Sequence, residues 1–201
     1  DPYWMIPHFE KMLYDNGQLL AVCAQATVAT GDPLFRRVSQ ETADWILRDL
    51  ADPAGAYYST LDADSEGHEG KFYVWTPDEV RALLEEREYQ VLARRFGLDR
   101  AANFEGLWHL HAFEPMDKVA GETGLTAEAA ESLLDSARAK LLAVRNRRVW
   151  PGRDEKILTS WNGLAVAGLA AAARALDRAD YVDSAARAVQ FLRAHCWFDG
   201  R

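Results

Sequence analysis

Two stretches of the chain are apolar on nearly every side, and each is followed by a stretch that is apolar on one side only. Residues 8–29, HFEKMLYDNGQLLAVCAQATVA, predict a helix whose second half is enclosed by others. Gly31-Asp32-Pro33 closes it, since Gly suits a helix end and Pro a helix start. An amphipathic helix follows over 34–50, with Leu34, Val38, Trp45, Ile46 and Leu50 at helical spacing. Near the other end, Ser160 opens a second apolar helix to Leu176, and 181–195 form its amphipathic partner. Between these hairpins, 56–61 and 71–75 are rich in aromatic and β-branched residues and predict extended arms. Helices are predicted from Pro77 to about Glu88, over 89–96, and from the Thr126 cap to about Val144. Residues 97–123 and 147–156 read as irregular. The pattern predicts an all-α chain of about seven helices with a short β-arm insertion near 56–75.

The two hairpins repeat. At an offset of 146 positions Asn16-Gly17 falls on Asn162-Gly163, Ala21, Ala24, Ala26 and Ala29 fall on alanines, Phe35 meets Tyr181, and Trp45 meets Phe191. Alanine-rich helices match easily by chance, so the shared turn and aromatic positions weigh more. Repeated helical hairpins imply a solenoid or toroid with enclosed inner helices. The long insertion between them favours a closed α/α toroid carrying elaborate loops.

Composition narrows the partners. A net charge of -8 with scattered Lys and Arg argues against nucleic acid and against an anionic membrane surface. No run approaches the roughly 20 apolar residues of a membrane span. Cys23 and Cys196 stand far apart with no C-x-x-C, so no redox dithiol or zinc site is encoded, and a cytoplasmic location is expected. Residues 196–201 read as a turn within a longer protein.

The polar motifs carry the candidate chemistry. Asp62, Asp64, Glu66 and Glu69 crowd one loop between aromatic clusters. The run opens like a calcium loop, but Tyr73 stands where the closing bidentate Glu is needed, so no metal is expected. A pair of carboxylates for sugar chemistry and a solvated acidic turn both remain open. His8, Lys11 and Asp15 would share one face of the predicted first helix, with Glu10 beside them. An ordinary ion pair at a helix end is the plain alternative. NFEGLWHLH offers Glu105 and a His-x-His without a third ligand, and RDEKILTSWNG offers Asp154, Lys156, Trp161 and Asn162. Asn16 and Asn162 hint at a polar lumen or at internal hydrogen-bonding pegs. Nucleotide and serine-hydrolase motifs are absent.

Taken in order, PHFEKMLYDN, DADSEGHEGKFYVWT, NFEG and DEKILTSWNG resemble the thioredoxin-domain-containing family that includes the spermatogenesis-associated proteins. The resemblance covers most of the chain. It implies an all-α fold that is part of an (α/α)6 six-hairpin toroid, similar to those of N-acylglucosamine 2-epimerases and cellobiose epimerases. Residues 1–201 would be a single domain, about the first half of that toroid, without the family's thioredoxin-like domain. The expected function is a carbohydrate-active toroid, a glycoside hydrolase or sugar epimerase. The alternative is a non-catalytic binding or scaffold toroid working with a thioredoxin-like domain. In the first reading Asp62 and Asp64 supply acid or base, assisted by Glu105 or His8. Trp75 and Trp161 stack on sugar rings, and Glu10, Lys11, Asp15, Asn16, Glu69, Asp154, Lys156 and Asn162 bind hydroxyls. No cofactor is expected. The expected partners are a carbohydrate or small molecule and the remainder of the toroid, with self-association of the exposed inner helices as a further expectation.

Overall fold

The computed structural model describes residues 1–198. In chain order the elements are β1 (Lys11–Met12), α1 (Leu13–Thr30), α2 (Pro33–Trp45), a π-helical stretch (Ile46–Leu50), β2 (Thr60–Leu61), β3 (Asp64–Ser65), β4 (His68–Glu69), α3 (Pro77–Leu83), α4 (Glu86–Phe96), α5 (Met116–Thr123), α6 (Ala127–Arg145), β5 (Arg153–Asp154), α7 (Thr159–Leu176) and α8 (Ala179–His195). The chain is thus built mainly of helices, with short strands inserted between the hairpins. Its packing resolves into two compact units, and each has its own core. The hairpin unit holds Glu10–Asp62 and the chain from Gly152 onward; the insert unit holds Asp1–Phe9 and Ala63–Pro151.

In the hairpin unit the repeat is structural. α1 and α7 begin and end at equivalent positions, and both are closed by a left-handed residue, Gly31 (φ 69°) and Asp177 (φ 56°). The two helices run parallel, because their contacts advance together, Tyr14 against Trp161 and then Gly17 against Ala165 and Gly168. A Cβ on Gly17 would lie 2.8 Å from the Ala165 backbone nitrogen, and one on Gly168 would lie 2.4 Å from the Gly17 carbonyl oxygen. Absent side chains therefore set the approach of the inner helices. Leu13, Leu20, Ile46, Leu50, Leu169 and Tyr181 fill the core around this contact. Tyr181 donates its hydroxyl proton to Asp44 (2.6 Å), and Arg178 reaches the same carboxylate (3.3 Å) while covering the Tyr181 ring. That ties the second hairpin to the first.

The first helix starts later than its sequence pattern predicts. Met12 is extended (φ -89°, ψ 133°), and Lys11–Met12 pair with β2. Glu, Lys and Met favour helix locally, but ladder hydrogen bonds to a distant strand outweigh a few tenths of a kcal/mol per residue of propensity. His8, Lys11 and Asp15 consequently do not share a helical face. The end of α2 also departs from the prediction, since its last turn widens over 46–50.

The insert unit packs α3, α4, α5 and α6 around Val80, Val91, Leu92, Val119, Leu134 and Leu141. Helix 77–88 is interrupted: Leu84 is extended (φ -117°), and the Glu85 amide donates to the Glu88 carboxylate (2.9 Å) to restart the chain as α4. Glu88 is buried. Burial alone would raise its pKa, but bonds from Lys140 (2.7 Å), Ser136 (2.7 Å) and the Glu85 amide hold it below the usual value. Arg148 staples the arm 72–75, donating to the carbonyls of Phe72 and Val74 and pairing with Glu79.

The acidic loop takes a form the sequence reading does not anticipate. Its strands are 60–61, 64–65 and 68–69, while 71–73 is a turn and Trp75 makes a single bridge to Trp108. β3 and β4 form a two-residue hairpin whose tip, Glu66 and Gly67, has both φ values positive (54° and 76°). Glu105 and Gly106 repeat that geometry (48° and 80°) between bridged Phe104 and Leu107. Two Glu-Gly pairs thus make the kind of turn usually built from Asn-Gly.

Candidate functional site

Three motifs far apart in sequence meet in one antiparallel sheet of the hairpin unit, ordered β1-β2-β5. Met12 lies opposite Thr60 and Thr60 opposite Asp154, while Lys11, Leu61 and Arg153 form the next row. The Leu13 amide donates to the Ser59 carbonyl (2.9 Å), the Ser59 amide to the Asp154 carbonyl (3.1 Å), and the Asp62 amide to the Gly152 carbonyl (2.7 Å). Carried one residue further, the register sets Glu10 opposite Asp62 with Gly152 on the far side. Directly opposed positions of a ladder share a side, as do alternate residues of a strand. Glu10, Asp62 and Asp154 therefore belong to one side of this sheet, and all three are exposed. Side-chain crowding is relieved at Gly152.

The sheet feeds straight into the inner helices. α1 begins at the residue after β1, and α7 begins five residues after β5. The first turns of both helices carry aromatic rings, Tyr14 and Trp161, with centroids 4.7 Å apart and planes tilted by 56°. Both rings are half-buried, so part of each faces solvent. Asp154 accepts from Lys156 through its ammonium (3.0 Å) and its backbone amide (3.2 Å). The Lys156 contacts, with the Ser59 hydroxyl, hold the Asp154 carboxyl below its ordinary pKa, so it is an anion and an acceptor at neutral pH. Arg153 pairs with Glu155 and lies 4.3 Å over the Tyr58 ring. The arrangement combines carboxylates, a lysine and an aromatic platform at paired helix N-termini. Such a set can accept and donate hydrogen bonds to a polyhydroxylated ring and stack on its apolar face.

The sequence-derived residues divide between the units. Glu10, Lys11, Asp15, Asn16, Asp62, Asp154, Lys156, Trp161 and Asn162 lie in the hairpin unit; His8, Asp64, Glu69, Trp75 and Glu105 lie in the insert unit. In the insert unit the buried Phe9 ring packs on Tyr73, Phe104 and His109, and a Cβ on Gly70 would touch it at 2.8 Å. His8 and Glu105 are chain neighbours of Phe9 and Phe104, and Glu69 precedes Gly70, which abuts the Phe9 ring. Asp64 stands opposite Glu69 in the β3–β4 ladder, and His8, Asp64, Glu69 and Glu105 are exposed.

Two assignments are corrected. Asn162 is fully buried; its oxygen accepts from the Tyr57 amide (2.8 Å) and its nitrogen donates to the carbonyls of Tyr57 (2.9 Å) and Leu158 (3.1 Å). Asn16 makes the equivalent bond to the Met12 carbonyl (2.8 Å). These asparagines are pegs at the helix starts, and Asn162 has its amide committed to the fold. Trp75 is 3% exposed, with the Arg148 guanidinium 4.0 Å over its ring, so that ring belongs to the insert core rather than to a sugar. Tyr14 is the residue that sequence reasoning undervalued. Its signal was an aromatic ring in the first turn of an otherwise apolar helix.

Among the described residues no helix is long and apolar enough to cross a membrane, and no cluster of three or more His, Cys, Asp or Glu is arranged to hold a metal ion.

Comparison with known proteins gives relatives for nearly the whole chain. It is 34% identical over 220 aligned residues to human spermatogenesis-associated protein 20, covering 97% of this chain and 28% of that protein, and the rat protein matches equally. An uncharacterised Caenorhabditis elegans protein is 28% identical over 94% of this chain and 29% of its own length. The chain thus spans under a third of the curated relatives it matches. No family model matches. Among solved structures, the crystal structure of D-mannose isomerase aligns with 90% of this chain and 40% of its own, at 12% identity and a TM-score of 0.29.

Proposed function

We propose that this chain, as a relative of spermatogenesis-associated protein 20, is part of an α/α toroid of the carbohydrate-active type, and that the β1-β2-β5 sheet is the floor of its sugar site. The observation that carries this reading is the register that sets Glu10, Asp62 and Asp154 on one side of a sheet joined directly to the Tyr14/Trp161 platform. Asp62 acts as acid or base at the reacting carbon, with Glu10 opposite it. Asp154, kept ionised by Lys156, accepts hydroxyl hydrogen bonds, and Lys11 and Asp15 contribute further polar contacts. The reaction class is glycoside hydrolysis or sugar epimerisation. In hydrolysis one carboxyl group protonates the leaving glycosidic oxygen while another activates water or attacks the anomeric carbon. In epimerisation a base removes a proton from a sugar carbon and an acid returns one to the opposite face. The proposal rests on the hairpin unit alone.

A panel of mono- and disaccharides, followed by thermal denaturation and by chemical-shift changes of the tryptophan indoles, tests it. A sugar-dependent rise in melting temperature that disappears in Trp161→Ala and weakens in Asp62→Asn is the expected result. If no sugar at millimolar concentration moves either signal, the reading fails. The internal use of Asn162 and Trp75 favours a second reading, a non-catalytic scaffold. Under it, sugars bind without turnover or not at all, and Asp62→Asn leaves the function of the longer protein intact.

A further inference from the structure

The side of the β1-β2-β5 sheet that carries the acids has one position without a side chain. Two rows lie on that side, Met12, Thr60 and Asp154 in one and Glu10, Asp62 and Gly152 in the other. Every place but one holds a side chain; at Gly152 the backbone is bare and exposed. The Asp62 amide donates to the Gly152 carbonyl (2.7 Å), so the main chain fixes these two residues against each other.

Neither conformation nor packing asks for glycine at this place. Gly152 is not among the glycines of positive φ, so no left-handed backbone demands it. A Cβ built on it would meet only Asp62, 3.8 Å from that Cβ and 3.9 Å from Oδ2, which is ordinary van der Waals contact. Gly17 and Gly168 differ, because a Cβ on either would run into a facing backbone. A glycine in a strand weakens it, having no side chain to pack, and often marks where a ligand approaches the main chain closely. What a side chain at 152 would take away is the space against the Asp62 carboxylate. A hydroxyl in that space can close to about 2.8 Å of Oδ2, the usual length of an O–H···O bond. Asp154 stands on the same side, about 7 Å further along the strand.

We propose that Gly152 is a specificity-determining residue of the sugar site: its missing side chain leaves the seat for one edge of a pyranose ring, whose unsubstituted hydroxyl there donates to Asp62. The inference rests on the carbohydrate reading given above. It adds where the ring sits on the sheet and why that position is bare.

D-glucose, N-acetylglucosamine and cellobiose are the probes, titrated at millimolar concentration into the full chain and into Gly152→Ala, Gly152→Val and Trp161→Ala. Dissociation constants are read from the tryptophan indole shifts. Gly152→Val should weaken the sugar that binds the parent about tenfold or more, and Gly152→Ala should weaken it less, following the volume placed beside Asp62. Both variants should melt no lower than the parent, because alanine or valine suits a strand at least as well as glycine. A glycine that serves the fold would not lose binding while keeping stability. Variants that melt well below the parent therefore overturn the proposal. Unchanged binding in Gly152→Val also overturns it, and if Trp161→Ala still abolishes binding, the sugar reading itself stands. If none of the three sugars moves the parent's signals, the sugar reading fails and this inference falls with it.

Discussion

The two repeated hairpins of the hairpin unit have equivalent inner helices, yet equivalent residues in them do different work. Gly17 is wedged against the α7 backbone, while Gly163 stands in open space. Asn16 makes one bond, to the carbonyl before its own helix, and is half-buried; Asn162 makes that bond and also holds both backbone groups of Tyr57. Phe35 has no hydroxyl, whereas Tyr181 at the equivalent place donates to Asp44. A repeat in sequence therefore specifies the helix and its ends. What each position contributes to stability is decided by the neighbour it happens to have.

The largest contrast should come from the glycines. Gly17→Ala places a Cβ 2.8 Å from the Ala165 nitrogen and should destabilise by on the order of 3 kcal/mol, near the upper end for overpacking. Gly163→Ala should raise stability by about 0.5–1 kcal/mol through helix propensity. Chemical denaturation of both variants measures the difference; equal effects would mean that the close contact of α1 and α7 does not exist in solution.

Next are the asparagines. Asn162→Ala strands a buried amide and carbonyl of Tyr57 and should cost about 2–3 kcal/mol. Asn16→Ala should cost about 1 kcal/mol or less, since its single bond is to a partly exposed helix start. Urea midpoints of the pair would measure how much more the peg at Asn162 holds than the one at Asn16.

The smallest effect is that of the second hairpin's hydroxyl. Tyr181→Phe should cost about 1 kcal/mol at neutral pH. It should also flatten the alkaline limb of the stability curve. Burial, and then the Asp44 carboxylate, raise the Tyr181 phenol above its ordinary pKa near 10, so the folded state holds that proton more tightly than the unfolded chain. Stability is undiminished below the unfolded value and falls as pH rises beyond it. Melting scans between about pH 9 and 11 should show a shallower decline in the Phe variant.

Much of the candidate site was visible as motifs but not as an arrangement. KMLYD, STLD and RDEK each read as a polar stretch beside an apolar helix, and their acids and lysines were identifiable from composition alone. That Lys11–Met12 form a strand was hidden, because Glu, Lys and Met are good helix formers and only pairing with Thr60 and Leu61 makes them extended. The sequence reading paired Asp62 with Asp64; the register that brings Glu10 to the strand beside Asp62 was not visible for the same reason. Trp75 looked like a platform because aromatic character is legible in sequence, whereas the guanidinium that covers it comes from Arg148, 73 positions away.

The sequence by itself determined most of the helices, the Gly31 stop and the equivalence of the two hairpins, because apolar periodicity, Gly and Pro act through neighbours a few residues away; the late start of α1, the break at Leu84 and helix α5 escaped it. Only the tertiary structure decided which asparagine is locked, which glycine is filled and which carboxylates share a side of the sheet. Those outcomes depend on hydrogen bonds and steric contacts between positions 50 to 150 residues apart, and no local pattern encodes who arrives on the other side.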